Sequence, residues 1–387
     1  MKVLLINKFK RGFGGVDTVV GQHIKSLEKN GIEFKVFKYS SDDFLKNGLF
    51  TQIRDIGLSI VGKFLVSELH SLILTFQPDI IHVHNIFPLL FKSIAKELRS
   101  TKSKIVFHIH NFYPFCLNSY LYTKGNICTS CIENNSWKYG IIKKCYNHSA
   151  IMSTLMALGR VKPREFKILF RADKYIAASG FVKDIYTKYG FDSEKIEILN
   201  NPTFQIPSEK IYENNYVLYI GALLEQKGLF TLIEAARQLP EIRFCIVGDG
   251  KDRERIRKYA DGLDNITFYG SLFGKDKYHL YNNCRFIVIP SKCWETFGMV
   301  ALEANSCGKY VLTTGCGGLS EIIDNCKSGE LYDEKNLQDL ISKIRKLWIT
   351  LDQNKVAEDC KNNAEKYSFN RYCENIDAFY NKLLKKM

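Results

Sequence analysis

The sequence contains no long apolar segment and little proline. Only 8 of its 387 residues are proline, and no window approaches the roughly 18 consecutive apolar residues of a membrane-spanning helix. The apolar run Val3–Ile6 is too short for the core of a secretory signal, so we expect a cytoplasmic protein. Internal repeats are absent, and the 45% apolar, 25% charged composition excludes a disordered chain. The length predicts two domains.

Acidic residues are scarce in the first half of the chain. Residues 1–200 contain 29 basic and 16 acidic side chains, and residues 101–175 contain 12 and 3, whereas the remainder from 201 onward has 26 and 25. Such a basic surface indicates a phosphate-bearing partner, which can be an anionic lipid, a phosphorylated substrate or nucleic acid. Nucleic acid is the least favoured, because no recognition motif or aromatic stacking platform accompanies the charge.

A basic stretch at 151–175 interleaves cations with Leu, Met and Phe. Its cations are Arg160, Lys162, Arg164, Lys167 and Arg171. This pattern fits a solvated helix face, and it fits docking to an anionic bilayer about as well.

Short runs rich in Val, Ile and Phe alternate with segments of helical period along the whole chain. The runs predicted as strands are Val3–Ile6, Glu33–Phe37, Ile80–His84, Lys104–His110, Lys174–Ala178, Ile196–Asn200, Tyr216–Ile220, Arg243–Val247, Ile266–Tyr269, Phe286–Ile289 and Tyr310–Thr313. This alternation predicts an α/β fold of two Rossmann-like, doubly wound domains with parallel sheets that face each other across a cleft.

Residues 201–215 carry two prolines and no hydrophobic period, so we predict a linker there. An N-terminal domain then spans 1–200, with a cysteine-rich loop at 112–148 that lacks an apolar core of its own. A C-terminal domain spans 216–366. The last segment, 367–387, predicts a helix that packs back on the N-terminal domain.

Glycine-rich turns follow several predicted strands, where ligands of parallel sheets bind. Gly14 and Gly15 precede the first helix, and Lys227 and Gly228 close the turn after the strand at 216–220. Glycines let a ligand approach the backbone, and helix N-termini offer free N–H groups to a phosphate. The first turn is not GxGxxG and no acidic residue ends the second strand, which disfavours a nicotinamide site.

Two glutamates accompany the turn after the strand at 286–289. Glu295 lies in the turn and Glu303 follows eight residues later. If the helix begins at Glu295, Glu303 lies roughly 12 Å further along its axis. One carboxylate can then accept hydrogen bonds from a sugar while the other binds a ribose.

This E-x7-E pair, with Phe297-Gly298 inside it, resembles the signature of family 4 glycosyltransferases, which are retaining enzymes of the GT-B fold. The resemblance covers nearly the whole chain and is most specific over 216–332. It implies that Glu303 binds the nucleotide ribose and that Lys227 neutralises the diphosphate. It also implies that Glu295 contacts the donor sugar, together with the backbone N–H groups around Phe297, Gly298 and Met299. Gly14 and Gly15 are then expected to close over the phosphates.

His110 ends the predicted strand at 104–110, and His108 shares its face. A single histidine near a strand end is more often structural. The resemblance reverses this expectation for His110, since the family places a histidine near the anomeric carbon, where it orients the donor or moves a proton. His82 and His84 form a similar pair.

The chain departs from the family at Ala222, where many members have an arginine. The diphosphate then loses one cation, and Lys292, Arg11 and Arg285 are the candidates to replace it.

Four of the 12 cysteines cluster in the loop at 112–148. These are Cys116, Cys128, Cys131 and Cys145. The C-x2-C pair with one cysteine on each side fits a structural zinc site, and it also fits free thiols or redox pairing. The transfer chemistry itself requires no cofactor.

Together these observations predict a cytoplasmic glycosyltransferase, peripheral on the inner face of the plasma membrane. It would transfer a sugar from a UDP- or GDP-sugar donor to a glycan or lipid-linked acceptor, as in bacterial O-antigen or capsule biosynthesis. The alternatives are a non-catalytic sugar-nucleotide-binding partner protein and a sugar-nucleotide epimerase. A zinc-dependent nucleic-acid binder leaves the second half of the sequence unexplained.

Overall fold

The computed structural model describes residues 1–9, 15–40, 66–86, 91–169, 171–203, 215–323 and 327–385. Gly14 and Arg11 lie outside the described residues. Contacts between residues divide the chain into two units. The first unit comprises Met1–Thr123, Cys128–Asn200 and Phe369–Met387, and the second comprises Lys124–Ile127 and Asn201–Ser368.

The first unit contains a parallel six-stranded sheet in the order β2-β1-β3-β4-β7-β8. Its strands are β1 (Lys2–Phe9), β2 (Glu33–Ser40), β3 (Ile80–Val83), β4 (Lys104–Ile109), β7 (Lys174–Ala177) and β8 (Ile196–Ile198), and a separate small sheet pairs β5 (Tyr122–Thr123) with β6 (Asn126–Ile127). Its helices are α1 (Gly15–Lys29), α2 (Val66–Phe76), α3 (Phe91–Glu97), α4 (Ser130–Glu133), α5 (Lys138–Ile142), α6 (Ala150–Leu158), α7 (Phe166–Leu169) and α8 (Gly180–Lys188).

The second unit contains another parallel six-stranded sheet, in the order β11-β10-β9-β12-β13-β14. Its strands are β9 (Tyr216–Ile220), β10 (Arg243–Val247), β11 (Ile266–Gly270), β12 (Phe286–Ile289), β13 (Val311–Thr313) and β14 (Gly329–Leu331). Its helices are α9 (Leu229–Arg237), α10 (Arg253–Tyr259), α11 (Gly274–Asn283), α12 (Met299–Ser306), α13 (Leu319–Ile322), α14 (Leu337–Thr350) and α15 (Gln353–Glu365).

The central strands are buried on both faces, as the continuous apolar runs predict. Every residue of β3 and of β12 is buried. A strand with two covered faces requires helices on both sides of its sheet, so the predicted α/β fold of two doubly wound parallel sheets is confirmed. The strand order reverses between β1 and β3 in one sheet and between β9 and β12 in the other. Crevices at such switch points are where these sheets bind ligands.

The C-terminal helix α16 (Phe369–Lys385) packs within the first unit. Its buried stripe consists of Tyr372, Ile376, Tyr380 and Leu383, at intervals of three or four residues. These side chains share an apolar cluster with Val3 and Leu5 of β1.

Two local features differ from the sequence expectations. Helix α12 begins at Met299 rather than at Glu295, so Glu303 lies little more than one turn from its start. The cysteine-rich segment has a small apolar core after all, formed by Leu117, Cys131, Trp137 and Met156. Local residue patterns did not reveal this core, because Met156 comes from outside the segment, on α6.

No helix in the described part of the chain is both long enough and apolar enough to cross a membrane.

Candidate functional site

The carboxyl ends of β9 and β12 are tied together by backbone contacts. The amides of Lys292 and Cys293 donate to the carbonyl of Gln226 at 2.9 and 3.2 Å. Gly228 ends this turn with φ = +76°, and a Cβ there would lie 1.7 Å from the carbonyl oxygen of Pro290. Only glycine fits this approach, which brings the predicted phosphate-binding turn against the loop that carries Glu295.

Glu295 is held by a lysine and a serine. Its Oε1 accepts hydrogen bonds from Lys227 Nζ and from Ser291 Oγ, both at 2.6 Å. Burial alone would raise the pKa of the Glu295 carboxyl, but the charge and hydrogen bond of Lys227 outweigh it and hold the pKa below its ordinary value. Glu295 is therefore an anion paired with a cation, and the structure joins the two residues that the sequence assigned to sugar and diphosphate.

A second turn fixes the backbone of Glu295. Its amide donates to the Cys316 carbonyl at 3.2 Å, and its carbonyl accepts from the Gly318 amide at 2.8 Å. These bonds connect the glycine-rich turn after β13 to the turn after β12. The carboxylate thus projects from a backbone that is held on both sides.

Glu303 is also held by two side chains that the sequence analysis did not identify. Its Oε2 accepts from Tyr281 Oη and pairs with Lys277 Nζ, each at 2.7 Å. Both partners lie on α11, one turn apart. Burial and the adjacent Glu303 raise the pKa of Tyr281, so its hydroxyl remains a hydrogen-bond donor. The sequence signal for these two partners was their spacing of four residues, which is one helical turn. No sequence pattern indicated that α11 packs beside Glu303 of α12.

Phe297, Gly298 and Met299 form the start of α12. The Phe297 side chain is buried against the ring of Tyr367, with the centroids 5.7 Å apart. Gly298 has φ = +144°, and its carbonyl accepts from the amides of Ala301 and Leu302. The Phe297 ring is therefore packed in the interior, and the role of the backbone N–H groups here stays a prediction.

Arg285 cannot supply the cation that is missing at Ala222. Its Nη2 donates to the carbonyl of Leu351 at 3.2 Å, and its guanidinium stacks on Trp348 at 5.5 Å from the ring centroid. Both contacts direct it towards α14 and away from the carboxyl ends of the strands. Of the three candidate cations, Arg285 is therefore excluded by its packing.

Five histidines and one tyrosine form a continuous hydrogen-bonded chain in the first unit. His110 Nε2 lies 2.8 Å from His84 Nδ1, and His84 Nε2 lies 2.9 Å from His23 Nδ1. Tyr380 Oη then joins His23 Nε2 at 2.9 Å to His82 Nδ1 at 2.6 Å. His82 Nε2 reaches His108 Nδ1 at 3.3 Å. His110 thus lies at one end of this chain, just beyond the carboxyl end of β4.

These histidines are neutral at physiological pH. Burial, with a smaller contribution from His110, lowers the pKa of His23 to about 3, and burial lowers that of His110 to about 3. The pKa values of His82, His84 and His108 also fall well below the ordinary value, chiefly through burial. Each interior ring of such a chain donates one hydrogen bond and accepts another, whereas His108 Nε2, at the end opposite His110, has no hydrogen-bond partner among the described residues.

The ligand nitrogens of His23, His82 and His84, and those of His84, His108 and His110, lie close enough to one another for a metal ion. Two of the nitrogen pairs are 2.8 and 2.9 Å apart, however. Two nitrogens on one tetrahedral zinc are about 3.3 Å apart, given bonds of about 2.0 Å. The spacing is therefore that of hydrogen bonds, and we assign these rings to the chain described above.

The basic stretch at 151–175 is not a solvated face throughout. Arg160 is 7% exposed and donates to the carbonyls of Tyr113, Cys116 and Leu117. Arg164 donates to the carbonyls of Ile132 and Glu133, and Lys167 donates to that of Gly190. Arg160 is therefore part of the interior, whereas Lys162, Arg164, Lys167 and Arg171 are exposed, so four of the five cations remain at the surface.

Four predicted ligands, Cys116, Cys128, Cys131 and Cys145, are free cysteines in the first unit. Cys116 and Cys131 are buried, and the other two are partly exposed. Gly15 is the first residue of α1, and a Cβ there would meet no atom within 4 Å.

Comparison with known proteins identifies the family and the fold of this chain. The profile described as "Glycosyltransferase Family 4" matches residues 13–203, and that described as "Glycosyl transferases group 1" matches residues 202–367. An uncharacterized glycosyltransferase of Methanocaldococcus jannaschii is 30% identical over 55% of this chain and 60% of its own length. The O-antigen chain mannosyltransferase C of Escherichia coli is 29% identical over 52% of this chain and 58% of its own. The chain thus spans less than two thirds of the length of either relative.

Solved structures share the fold at low sequence identity. The sucrose-phosphate synthase of Thermosynechococcus elongatus has a TM-score of 0.75 at 16% identity, and each chain covers 100% of the other. Anabaena HepE, solved in complex with UDP and glucose, has a TM-score of 0.69 at 17% identity, covering 98% of this chain and 99% of its own. With two profiles matched in succession along nearly its whole length, the chain belongs to the group 1, family 4 glycosyltransferases of the GT-B fold.

Proposed function

We propose that the protein transfers a glycosyl group from a nucleoside diphosphate sugar to a hydroxyl of a glycan acceptor, with retention of configuration. The bond between the anomeric carbon and the β-phosphate oxygen breaks, and a bond to the acceptor oxygen forms on the same face. The acceptor proton passes to the leaving phosphate. The observation that carries this proposal is the Lys227–Glu295 pair at the switch point of the second sheet.

The pair supplies both charges that such a donor needs. Lys227 offers a cation to the leaving diphosphate, and Glu295 offers an acceptor to sugar hydroxyls. Glu303 lies on the following helix, where Lys277 and Tyr281 orient it to accept hydrogen bonds from the ribose. The UDP bound to the similarly folded Anabaena protein supports a nucleoside diphosphate as the ligand class.

His110 of the first unit contributes as a neutral ring. Because burial lowers its pKa to about 3, it does not bring a positive charge to the donor. A neutral imidazole can donate a hydrogen bond to a sugar hydroxyl and thereby orient the donor. We therefore assign it a positioning role and not that of a general acid.

An apolar surface on the first unit favours a lipid-linked acceptor at an anionic membrane. On α6, Ile151 is 75% exposed and Leu158 is 54% exposed, and Leu155 lies between them on the same face. Lys144 precedes this helix and is exposed. Exposed apolar side chains beside lysines are typical of interfacial helices that bind anionic bilayers. The O-antigen function named for the Escherichia coli relative agrees with such an acceptor.

The first test is a calorimetric titration of UDP, GDP and their sugar conjugates against the wild type and Glu303→Ala. Glu241→Ala is the matched control, because Glu241 is an exposed residue of the same unit that pairs with Arg345 at 3.9 Å. We expect one nucleotide to bind at micromolar concentration, with binding lost only in Glu303→Ala. No binding by folded wild-type protein would contradict the proposal.

A transfer assay with glycan lipids extracted from cells then separates the alternatives. NMR of the product should show the anomeric configuration of the donor. Donor binding without transfer would favour a non-catalytic partner protein, and conversion of the donor sugar without an acceptor would favour an epimerase. Either outcome would overturn the transferase proposal.

A further inference from the structure

The four clustered cysteines line one small cavity in the first unit. The cavity has a volume of about 10 Å³, and Cys116, Cys128, Cys131 and Cys145 lie in its wall beside Lys143 and Gly140. Such a volume accommodates one water-sized species. Folding thus brings to one cavity cysteines that are separated in sequence by 11 residues (Cys116 and Cys128) or 13 residues (Cys131 and Cys145).

Separate backbone elements deliver these thiols. Cys116 follows a turn closed by its amide on the Phe112 carbonyl at 2.9 Å, and Cys131 lies on α4. The Cys145 amide is fixed on the Gly140 carbonyl, also at 2.9 Å. A Cβ added to Gly140 would lie 3.3 Å from Cys131 Sγ, so this position favours the smallest residue. The cavity is therefore closely bounded by elements that have no regular sheet or long helix to hold them.

The backbone of this segment is unusually strained. Eight described non-glycine residues have positive φ, and all except Gln77 lie between residues 119 and 148. They are Ser119, Leu121, Lys124, Asn135, Lys144, Asn147 and His148. Each such conformation costs on the order of 1 kcal/mol and persists only where the surroundings enforce it. The small apolar core around Leu117 and Trp137 holds these backbone conformations only weakly. A cross-link among the four cysteines would hold them strongly.

Positive charge surrounds the cavity. Lys143 Nζ lies 3.2 Å from Cys128 Sγ, and the buried guanidinium of Arg160 donates to the carbonyls of Cys116 and Leu117. Four thiolates around one divalent cation carry a net charge of −2, which two nearby cations would balance.

We propose that Cys116, Cys128, Cys131 and Cys145 bind one structural zinc ion in a tetrahedral, four-thiolate site that fixes the segment 112–148. The donor set is soft and matches zinc, whose bonds to thiolate are about 2.3 Å long. In the part of the chain that the structure describes, groups of three ligand atoms within 4.8 Å are formed by histidines and not by these thiols. A four-thiolate site thus requires the four sulfur atoms to move inward and to give up their present contacts, such as that of Cys116 Sγ with Asn118 Oδ1 at 2.9 Å.

Metal analysis of the full chain, purified under reducing conditions, tests this site. We expect about one zinc per wild-type molecule, at most about a tenth of that in Cys131→Ser, and the wild-type value in Cys245→Ser, a buried cysteine of the other unit. Equal zinc in all three proteins, or none in the wild type, would overturn the proposal. A Cys128–Cys131 disulfide detected by mass spectrometry would also overturn it.

Cobalt substitution keeps the test valid if Cys131→Ser does not fold. The wild-type chain, freed of metal by a chelator and reloaded with Co²⁺, should show the d–d absorption of a tetrahedral thiolate site. The chelator should also lower the melting temperature by about 5 °C, since a structural metal contributes folding free energy. No such absorption and an unchanged melting temperature would contradict a structural site. These readouts do not depend on glycosyl transfer, so the site can fail or hold independently of the proposed function.

Discussion

Lys227 Nζ lies 2.6 Å from Glu295 Oε1, so the cation expected to meet the diphosphate is already neutralised by the carboxylate expected to meet the sugar. A diphosphate must compete with Glu295 for this lysine, whereas a complete donor also gives Glu295 new partners in its sugar hydroxyls. The pair thus favours the intact donor over the product nucleotide.

We expect Glu295→Gln to bind the free nucleoside diphosphate several-fold more tightly than the wild type, because Lys227 loses its charged competitor. Transfer should fall at least about 100-fold, which corresponds to about 2.7 kcal/mol of lost transition-state stabilisation. Calorimetry with UDP and GDP measures the first effect, and initial rates measure the second. Lys227→Ala should lose both nucleotide binding and transfer. Lys355→Ala should lose neither, because Lys355 is an exposed lysine paired with Asp352. Weaker nucleotide binding by Glu295→Gln would refute the competition.

Tyr281 and Lys277 should support binding of the nucleoside part of the donor and not binding of its phosphates. Tyr281→Phe removes the hydrogen bond to Glu303 Oε2 and should weaken nucleoside diphosphate binding about 5- to 30-fold, which corresponds to roughly 1–2 kcal/mol. Inhibition by inorganic pyrophosphate should not change. Tyr278→Phe on the same helix is the control. An equal loss for pyrophosphate would show that the tyrosine supports the phosphate turn instead.

The fold was predictable because it depends on local patterns. Continuous apolar runs such as Phe286–Ile289 identify buried parallel strands, and glycine at 228 identifies a turn that no side chain can occupy. The spacing of Glu295 and Glu303 predicts the donor site through a family resemblance.

Partners from other elements were not predictable. Ser291 lies in the predicted loop, but only the folded turn aims it at Glu295. Tyr380 and His23 are 357 residues apart, and no local pattern connects them. Arg160 looked like a surface cation because sequence gives its charge and not the three carbonyls that surround it. Long-range packing decides these contacts.

Tyr380 should be the residue on which the histidine chain depends. Tyr380→Phe leaves His82 Nδ1 and His23 Nε2 without their partner in a buried position, which should lower the free energy of unfolding by about 2–4 kcal/mol. Tyr372 lies on the same helix, is equally buried, and has a hydroxyl with no hydrogen-bond partner among the described residues. Tyr372→Phe should therefore not lower the free energy of unfolding, because it breaks no hydrogen bond and removes an unpaired buried hydroxyl. Urea unfolding compares the two variants, and similar losses would contradict a hydrogen-bonded chain.

The buried histidines should make the protein unstable in mild acid. Burial holds the pKa of His23 and of His110 at about 3, whereas the unfolded chain binds protons below about pH 6.5. In the window from about pH 6.5 down to about 3, the unfolded state therefore binds more protons, and stability falls as pH falls. Each histidine contributes up to about 1.4 kcal/mol per pH unit.

Urea unfolding at pH 7.5, 6.5 and 5.5 tests this, since few carboxylates titrate there. His23→Gln should reduce the pH dependence by about one histidine's contribution, and His279→Gln, at an exposed position, is the matched control. A free energy of unfolding that is constant between pH 7.5 and 5.5 would show that the histidines are not buried as neutral rings.

The exposed face of α6 should decide membrane binding. The double variant Ile151→Glu, Leu155→Glu removes two apolar side chains and adds two negative charges. Its binding to vesicles with anionic lipid should fall at least about 100-fold, because burial of each apolar side chain contributes roughly 1.5 kcal/mol or more. Ile349→Glu is the control, because Ile349 is 71% exposed on the other unit. Co-sedimentation at low and high salt separates the contributions: Lys144→Glu should weaken binding mainly at low salt, where charges are least screened. If all variants bind as the wild type does, the acceptor reaches the protein by another surface.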